Sequence, residues 1–397
     1  MNSSHHQNCN LTELEVFGLS SKFNLADGHS YISAKKHYKS VLSDLPELWV
    51  TATNISVPKM ERLFKEKFAE YFSLKGLRDH NYFSVCPTAS NSIDIVGAWA
   101  RSKQYKIGLM EPTFDNLAHL LRRREVALEA IPETYFTNLF ALESFMLKHK
   151  INALFLVNPN NPTGFVIDNT MMARIADLCL KLSITLIIDT SFRFCHRSPI
   201  DEYTLLIDRG LSFIILEDTG KQWPTLDTKA SLLSYSESLA SEVRHIYEEI
   251  YLCCSNFSLQ VIIAFIDATI KSGGLTYMHS IIQKNIRIVH SELQNSLVVP
   301  EKGTHDSLMT VMWLNIEKTG LSDLELTDYL AQYDIAVLPG RYFFWDSHES
   351  SGHNRIRIAL MKPDDQFHLS ILRLKQAIND LEIPKIAEHA DLKETLS

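Results

Sequence analysis

Residues 213–221 read Phe-Ile-Ile-Leu-Glu-Asp-Thr-Gly-Lys, an apolar run that meets a charged loop ending in a lysine. The run Phe213–Leu216 is short and rich in β-branched and aromatic residues, which predicts a buried strand. The loop places acidic and basic side chains directly at the end of that strand. This stretch therefore predicts a strand whose carboxyl end is followed by catalytic or binding residues.

Three more apolar runs are typical of strands, and two of them also end in polar loops. Ala153–Val157 leads into Asn158-Pro-Asn-Asn-Pro-Thr-Gly164, and Thr185–Ile188 ends at Asp189, while Lys106–Met110 precedes them. Longer helical patterns separate the runs, which predicts an α/β fold with a mostly parallel sheet flanked by helices. In such sheets ligands bind beyond the carboxyl ends of the strands. An ordinary Asn-Pro turn and a helix N-cap are the simpler explanations for the two polar loops.

The pattern changes towards both ends of the chain. Apolar residues recur at helical spacing from about residue 54 to 72, and residues 1–45 mix polar clusters with turn signals. From about residue 286 the pattern turns to a helix, strands and a closing helix over Ile371–Leu381. We therefore predict an N-terminal lid and arm (1–45), a large domain (46–285) and a smaller α+β C-terminal domain (286–397).

Composition excludes several classes of protein. The 397 residues carry a formal charge of −8 without a basic run, so we expect no nucleic-acid partner. The longest apolar stretch, Leu259–Ile270, is too short to span a bilayer, and the N-terminus lacks the pattern of a signal peptide. The six cysteines have no metal-type spacing. We expect a cytoplasmic protein with buried, reduced thiols and no metal site.

The polar loops together suit chemistry on an aromatic cofactor. An activated lysine such as Lys221 can form an imine with a carbonyl group. A carboxylate at Asp189 can keep a pyridine nitrogen protonated, and the Asn161 amide can donate a hydrogen bond. Lys229 can neutralise a phosphate. Two surface lysines are the simpler alternative for Lys221 and Lys229.

An arginine inside an apolar strand points to a bound anion. Arg357 lies in Ile356-Arg-Ile-Ala-Leu360, where burial is costly unless the guanidinium is paired. A bidentate contact with a substrate carboxylate would offset that cost. Arg355 is the competing candidate, because alternation places both side chains on one face of the strand. We favour Arg357 because the apolar run continues after it.

The order and spacing of these motifs resemble those of the fold-type I pyridoxal-phosphate (PLP) enzymes, the class I/II aminotransferase-like family. The resemblance covers residues from about 45 to the end. It implies PLP as the cofactor, an aminotransferase-like fold and a homodimer. It also implies roles for individual residues: a Schiff base at Lys221, Asp189 on the pyridine nitrogen, Asn161 on the ring hydroxyl, Phe114 stacked on the ring, and the turn Thr88-Ala89-Ser90 around the phosphate.

Three positions depart from the usual pattern of that family. Phe192 replaces a tyrosine that bonds to the ring hydroxyl, Asp218 replaces a serine or threonine that contacts phosphate, and Lys229 replaces an arginine. A carboxylate at 218 would repel phosphate and suits a cationic substrate. The strings around these positions, with Asn24-Leu-Ala-Asp-Gly-His29, resemble the PLP-dependent L-arginine oxidases and hydroxylases of the enduracididine pathway.

This narrower resemblance implies L-arginine and dioxygen as substrates. The products would be 4-hydroxy-2-oxoarginine, 2-oxoarginine or both, with release of ammonia. Lys221 would take the Cα proton as a general base, and His29 would be the base or water-positioning group for hydroxylation, since histidine exchanges protons near neutrality. The simpler explanation for His29 is a turn residue after Asp-Gly.

The N-terminal segment fits a lid over the substrate. Glu15 and Asp218 suit a guanidinium because each carboxylate can accept two hydrogen bonds, while Thr12 and Asp27 are further candidates for substrate contact. A capping box formed by Thr12 and Glu15 explains the same residues equally well.

Three other functions compete with the oxidase. The main alternative is a PLP-dependent aminotransferase that acts on a basic amino acid and needs a 2-oxo acid acceptor. A PLP enzyme that cyclises or dehydrates a modified arginine is the second. A non-catalytic binding module is the third, and the presence of both Lys221 and Asp189 disfavours it.

Overall fold

The computed structural model of the protein describes residues 10–198, 200–225, 228–301, 308–346 and 352–394, with side chains as far as residue 381. The N-terminal part is largely helical: α1 (Leu11–Gly18), β1 (Phe23–Asn24), α2 (Ala34–His37), α3 (Lys39–Ser43), α4 (Leu45–Thr53), α5 (Val57–Phe72) and α6 (Lys75–Asp79). Helix α5 confirms the helix predicted from about residue 54 to 72. It buries Met60, Phe64 and Phe68 at helical spacing, and this one-sided burial is the physical reason for the pattern in its sequence.

The central part alternates strands and helices, as the sequence predicts. Its elements are β2 (Phe83–Cys86), α7 (Ala89–Ser102), β3 (Lys106–Glu111), α8 (Asn116–Arg123), β4 (Ala127–Pro132), α9 (Leu139–His149), β5 (Ala153–Val157), α10 (Asn169–Leu182), β6 (Thr185–Asp189), α11 (Glu202–Asp208), β7 (Phe213–Asp218), β8 (Ser231–Tyr235), α12 (Glu237–Ile250) and α13 (Asn256–Lys271). The four predicted strands are β3, β5, β6 and β7.

Seven strands of this part form one sheet in the order β2-β8-β7-β6-β5-β3-β4. Strand β8 is antiparallel to both of its neighbours, and the other strands run parallel to one another. Strands β5 and β6 are fully buried, which explains their continuous apolar runs. Two large apolar clusters, which together include residues from all seven strands, cover the sheet with helices. This architecture confirms the predicted α/β class, with a mostly parallel sheet flanked by helices.

The C-terminal part builds a smaller antiparallel sheet with its own apolar cluster. Its elements are α14 (Gly274–Leu293), β9 (Val299–Pro300), β10 (Val311–Asn315), α15 (Asp323–Ala331), β11 (Ile335–Ala336), β12 (Leu338–Pro339), β13 (Arg355–Ala359) and α16 (Asp364–Glu394). The sheet order is β12-β13-β10-β9, and β1 pairs with β11 in a separate two-stranded ladder. The N-terminal segment is therefore attached to the C-terminal part. The predicted boundary between residues 285 and 286 falls within α14.

Among the described residues, no single helix is long and apolar enough to cross a bilayer. Helices α13 and α14 meet the criteria of length and composition only as a pair, and they are bent by 86° at the break between them. Both helices contribute buried side chains to the main apolar cluster.

A buried ion network joins the ends of β6 and β7. The Arg193 guanidinium donates to both carboxylate oxygens of Glu217 at 2.8–3.0 Å and to Glu202 at 2.6 Å. Tyr203 adds a hydrogen bond to Glu217 at 3.0 Å. All four side chains are at most 5% exposed. A network this deeply buried is tolerated only because each charge is paired.

We expect the substitution Arg193→Met to lower the free energy of unfolding by about 3–5 kcal/mol, because it leaves two buried carboxylates without their cation. The matched control is Arg209→Met, which removes a pair with Asp177 whose carboxylate is 61% exposed. That control should cost about 0–1 kcal/mol. Denaturant unfolding of both variants measures the difference, and equal losses would contradict this account of the network.

Candidate active site

A cavity of about 220 Å³ lies at the carboxyl edge of the seven-stranded sheet. All but two of the predicted site residues line it: Thr12, Glu15, His29, Thr88, Ala89, Ser90, Phe114, Asn161, Asp189, Phe192, Asp218, Lys221 and Lys229. The two exceptions are Asp27 and Arg357. The structure thus gathers residues from the N-terminal segment and from loops of the large sheet around one space.

Asp189 ends β6 and is only 5% exposed. Its Oδ1 accepts a hydrogen bond from the backbone N–H of Ser191 at 2.8 Å. Burial raises the pKa of Asp189 to about 6, although the hydrogen bonds from Ser191 oppose that shift and the charges of Asp218 and Glu217 add to it. A cation placed against Asp189 would stabilise its ionised form. A protonated pyridine nitrogen is such a cation.

The loop after β7 places two lysines on the cavity wall. Asp218 accepts a hydrogen bond from the Gly220 N–H at 3.0 Å, which tightens the turn before Lys221. The Thr219 backbone N–H and hydroxyl both donate to the Ala230 carbonyl, at 3.1 and 2.9 Å. These contacts hold the segment of Lys221 beside the segment of Lys229.

The start of α7 forms the anion-binding side of the cavity. Thr88 is the N-cap residue, and its hydroxyl oxygen accepts from the Asn91 N–H at 3.2 Å. Ala89 and Ser90 begin the helix and line the cavity. A helix N-terminus with exposed N–H groups favours a phosphate, and Lys229 adds a positive charge to the same cavity.

Two buried oxygen atoms on the wall have no hydrogen-bond partner among the described residues: Asn161 Oδ1 and Thr113 Oγ1. An unsatisfied buried polar atom is costly, so these atoms fit a bound group that carries polar substituents. The loop of Asn161 is held in place by its neighbour Asn160, which donates to the Pro112 carbonyl at 2.8 Å and to Glu133 at 2.6 Å. The loops that carry Asn161 and Phe114 are thereby fixed to each other.

Asp27, which the sequence predicts as a substrate-binding residue, does not line this cavity. Its Oδ1 lies 2.6 Å from Nδ1 of His29, and its other carboxylate oxygen accepts a short hydrogen bond from the Tyr31 hydroxyl. Burial by itself would raise the pKa of Asp27, but the hydrogen bond and charge of His29, with the charges of Lys221 and Lys362, lower it well below its usual range. Asp27 therefore binds Nδ1 of His29 without lining the cavity itself.

The structure also places Arg357 outside the cavity wall. Its side chain is 1% exposed and donates to Glu15 Oε1 at 3.2 Å and to the Ala26 carbonyl. The guanidinium is thus paired by the protein itself, which explains how an arginine is tolerated on an apolar strand. Its Nε has no hydrogen-bond partner among the described residues. The competitor Arg355 is paired with Glu301 at 2.8 Å.

The capping box that was the alternative for Thr12 and Glu15 is wrong. Helix α1 begins after Asn10, whose side chain accepts from the Glu13 N–H at 2.9 Å while Glu13 accepts from the Asn10 N–H at 3.2 Å. Thr12 and Glu15 lie within the helix and line the cavity. The Leu11 N–H donates to Asp115 at 2.9 Å and attaches the helix to the large domain.

Glu15, Asp27 and His29 offer ligand atoms within 4.8 Å of one another. Cations of the protein already lie against this cluster: Arg357 donates to Glu15, and the Lys362 amine, which donates to the Asp27 backbone carbonyl at 2.6 Å, lies close enough for its charge to act on the Asp27 carboxylate. The charges of the two carboxylates are therefore offset by cations of the protein itself.

Sequence reasoning missed several side chains that border the cavity or support it. Thr113, Asn116 and Ser191 line the wall, and the first two lie close to the predicted Phe114 in the chain. Their position beside predicted residues was the available signal. Tyr31 and Lys362 contact Asp27 from outside the cavity, and no motif in the sequence singles them out.

The class I and II aminotransferase family model matches residues 22–369. The chain belongs to that family. A solved structure of MppP soaked with the product 2-ketoarginine is similar with a TM-score of 0.81 and 28% identity, covering 89% of this chain and 99% of that one. LysN from Thermus thermophilus, an α-aminoadipate aminotransferase complexed with N-(5'-phosphopyridoxyl)-L-leucine, matches with a TM-score of 0.73 at 16% identity over 96% and 97% of the two chains.

A curated relative, the aromatic aminotransferase ISS1 of Arabidopsis thaliana, is 21% identical over 230 residues. That match covers 57% of this chain and spans only 55% of the relative. The cofactor of the family is PLP. The cavity fits it, since it combines a buried carboxylate, a helix N-terminus, two lysines and unsatisfied buried oxygens. The protein is therefore a PLP-dependent enzyme.

The raised pKa of Asp189 predicts how PLP binding depends on pH. An ionised Asp189 would favour a bound pyridinium above pH 6 and the neutral acid would not below it, so the affinity of cofactor-free protein for PLP should fall as the pH drops through about 6. Asp189→Asn should bind PLP more weakly and lose this component of the pH dependence. Fluorescence titration with PLP from pH 5 to 8 compares the two proteins, and parallel curves would contradict the assigned role.

Proposed function

We propose that the protein is a PLP- and O₂-dependent oxidase/hydroxylase of L-arginine that gives 4-hydroxy-2-oxoarginine, 2-oxoarginine or both, with release of ammonia. The observation that carries the proposal is Asp218, a 9% exposed carboxylate on the cavity wall three residues before Lys221. A buried acid at this position selects a cationic substrate group. The similarity to MppP, whose structure was soaked with 2-ketoarginine, supports a substrate with a guanidinium.

The residues that line the cavity fall into two groups, one that would hold the cofactor and one that would contact the substrate. Bound PLP supplies the electron sink that makes the Cα proton of an amino acid removable. Lys221 then holds or moves that proton as the general base, and Asp189 keeps the pyridine nitrogen protonated. Phe114 covers the ring. Phe192 borders the same space without a hydroxyl, so it gives the ring oxygen no donor there.

The acidic side chains suit the far end of the substrate. Glu15 and Asp218 offer carboxylates to a guanidinium, and Thr12 adds a hydroxyl. Arg357 is 1% exposed and lies outside the cavity wall, so it would reach a substrate carboxylate only after its contact with Glu15 rearranges. His29 lines the cavity, and its Nε2, which lies 3.1 Å from the Lys229 amine, would accept the proton of the water that adds at C4 once Lys229 donates to the cofactor phosphate instead.

Each two-electron oxidation of the substrate reduces one O₂ to H₂O₂. Two such oxidations with two waters give the hydroxylated oxo acid, ammonia and two H₂O₂, and one oxidation with one water gives 2-oxoarginine, ammonia and one H₂O₂. The alternative function is an aminotransferase that acts on a basic amino acid, which the family membership favours. The two functions differ in whether a 2-oxo acid acceptor is required.

An oxygen electrode distinguishes them. The purified holoenzyme should consume O₂ when L-arginine is added without any oxo acid, and the Lys221→Ala variant should lose both this activity and the visible absorbance band of lysine-bound PLP. Retention of the band in the variant would contradict the assignment of Lys221. Turnover that appears only after addition of a 2-oxo acid would establish the aminotransferase instead.

His29→Ala should leave the first oxidation intact and shift the product towards 2-oxoarginine, because the base for water addition is lost. We expect the ratio of hydroxylated to plain oxo acid to fall at least tenfold, consistent with the usual contribution of a positioned base of about 10²–10⁴. Mass spectrometry of the products measures the ratio. The control is His245→Ala on the surface of α12, whose imidazole side chain is 74% exposed.

We also propose that the protein acts as a homodimer in the cytoplasm. Trp49 and Val50 on α4 are 58% and 50% exposed, and large apolar side chains exposed side by side favour a subunit contact. The described cysteines Cys86, Cys179, Cys195 and Cys254 are buried free thiols, and Cys253 is an exposed one, which suits a reducing compartment. Cys9 lies outside the described residues.

A further inference from the structure

The two ring nitrogens of His29 contact partners of opposite kinds, a hydrogen-bond donor and a hydrogen-bond acceptor. The Lys229 amine is 3.1 Å from Nε2, and the Asp27 carboxylate is 2.6 Å from Nδ1. An ammonium group only donates hydrogen bonds and a carboxylate only accepts them. Both contacts therefore favour the same tautomer, with the proton on Nδ1 and the lone pair of Nε2 facing the Lys229 amine.

Contacts with four residues fix Asp27. Its Oδ1 also accepts from the His29 backbone N–H at 3.0 Å, and its own N–H donates to Asn24 at 3.2 Å. Its carbonyl accepts from the Lys362 amine at 2.6 Å, and its second carboxylate oxygen accepts from the Tyr31 hydroxyl. Rotation of the carboxylate would break the Tyr31 contact and move the acceptor away from Nδ1 of His29.

Tyr31 is itself held outside the catalytic cavity. Its backbone N–H donates to the Met361 carbonyl at 2.7 Å, and the Lys362 amine lies 4.6 Å from the centre of its ring. Both Tyr31 and Lys362 line a second cavity of about 220 Å³, whereas His29 lines the catalytic one. Asp27 lines neither cavity, but it contacts His29 of the catalytic cavity and Tyr31 of the second cavity.

We propose that Tyr31 is a positioning residue of the active site, acting through Asp27 to keep the proton of His29 on Nδ1 and so leave Nε2 unprotonated as a base. The arrangement is a Tyr–Asp–His triad in which only His29 meets the reacting atoms. This role rests on the proposed function of His29 as the base that takes the proton of water while the water oxygen bonds to C4. The effect on the His29 tautomer is independent of which reaction the enzyme catalyses.

Tyr31→Phe tests the proposal because it removes the hydroxyl and keeps the ring beside Lys362. In the holoenzyme with ¹⁵N-labelled histidine, the His29 signals, identified by their loss in His29→Gln, should show the Nδ1–H tautomer. In Tyr31→Phe they should move towards a mixture of tautomers. Tyr329→Phe is the matched control, since it removes a hydroxyl that donates to the Ala377 carbonyl in the C-terminal part. Unchanged His29 signals in Tyr31→Phe, or the same change in the control, would overturn the proposal.

The product ratio provides the second readout. Tyr31→Phe should lower the ratio of 4-hydroxy-2-oxoarginine to 2-oxoarginine about fivefold, the scale of one hydrogen bond, without a change in the KM for arginine. The double variant Tyr31→Phe/His29→Ala should match His29→Ala alone, because Tyr31 acts only through His29. Additive effects in the double variant would overturn the proposal. Wild-type enzyme that consumes no O₂ with arginine would refute the proposed function, while the tautomer measurement would still test the triad.

Discussion

The parallel pairing of β5, β6 and β7 is the constraint on which the active site depends. The register aligns Val157 of β5 with Asp189 of β6, and Asp189 with Leu216 of β7. The loops that follow these strands therefore begin at one edge, and Asn161, Asp189 and Lys221 meet there although 60 residues separate the first from the last. A shift by one residue would turn every side chain of a strand to the opposite face. Full burial of the strands makes such a shift prohibitive.

The end of β7 shows how the fold accommodates two adjacent acids. Successive side chains on a strand point to opposite faces, so Glu217 and Asp218 have different environments. Glu217 is bound by Arg193 and Tyr203 behind the loop, whereas Asp218 borders the cavity. The buried network balances one charge with a fixed cation and leaves the other for a ligand. The Arg193 network thereby supports the loop of Lys221 without entering the site.

The sequence predicted those features that local pattern controls. The strand over Ala153–Val157 has the predicted bounds, β6 and β7 extend one and two residues beyond theirs, and the cavity gathers the loop residues that the motifs indicated. Pairings across long separations were not predictable. Arg357 meets Glu15 across more than 300 residues, and Asp27 turns towards His29 and Tyr31 rather than towards the cavity. These partners follow from how the N-terminal segment pairs with β11 and packs near β13, which no local pattern encodes.

The contacts of the two acids on the substrate side limit how a guanidinium can bind. Glu15 Oε1 already accepts from the Gly28 N–H and from Arg357, both at 3.2 Å, and Asp218 Oδ1 accepts from the Gly220 N–H. Glu15 Oε1 thus has both of its lone pairs engaged, so a two-point contact with Glu15 alone is disfavoured, while Asp218 Oδ1 keeps one lone pair. A guanidinium placed between them would donate one hydrogen bond to each, because its N–H groups diverge in a plane. A lysine ammonium has no such fork, so the proposed arginine substrate suits a pair of acids better than a simple amine does.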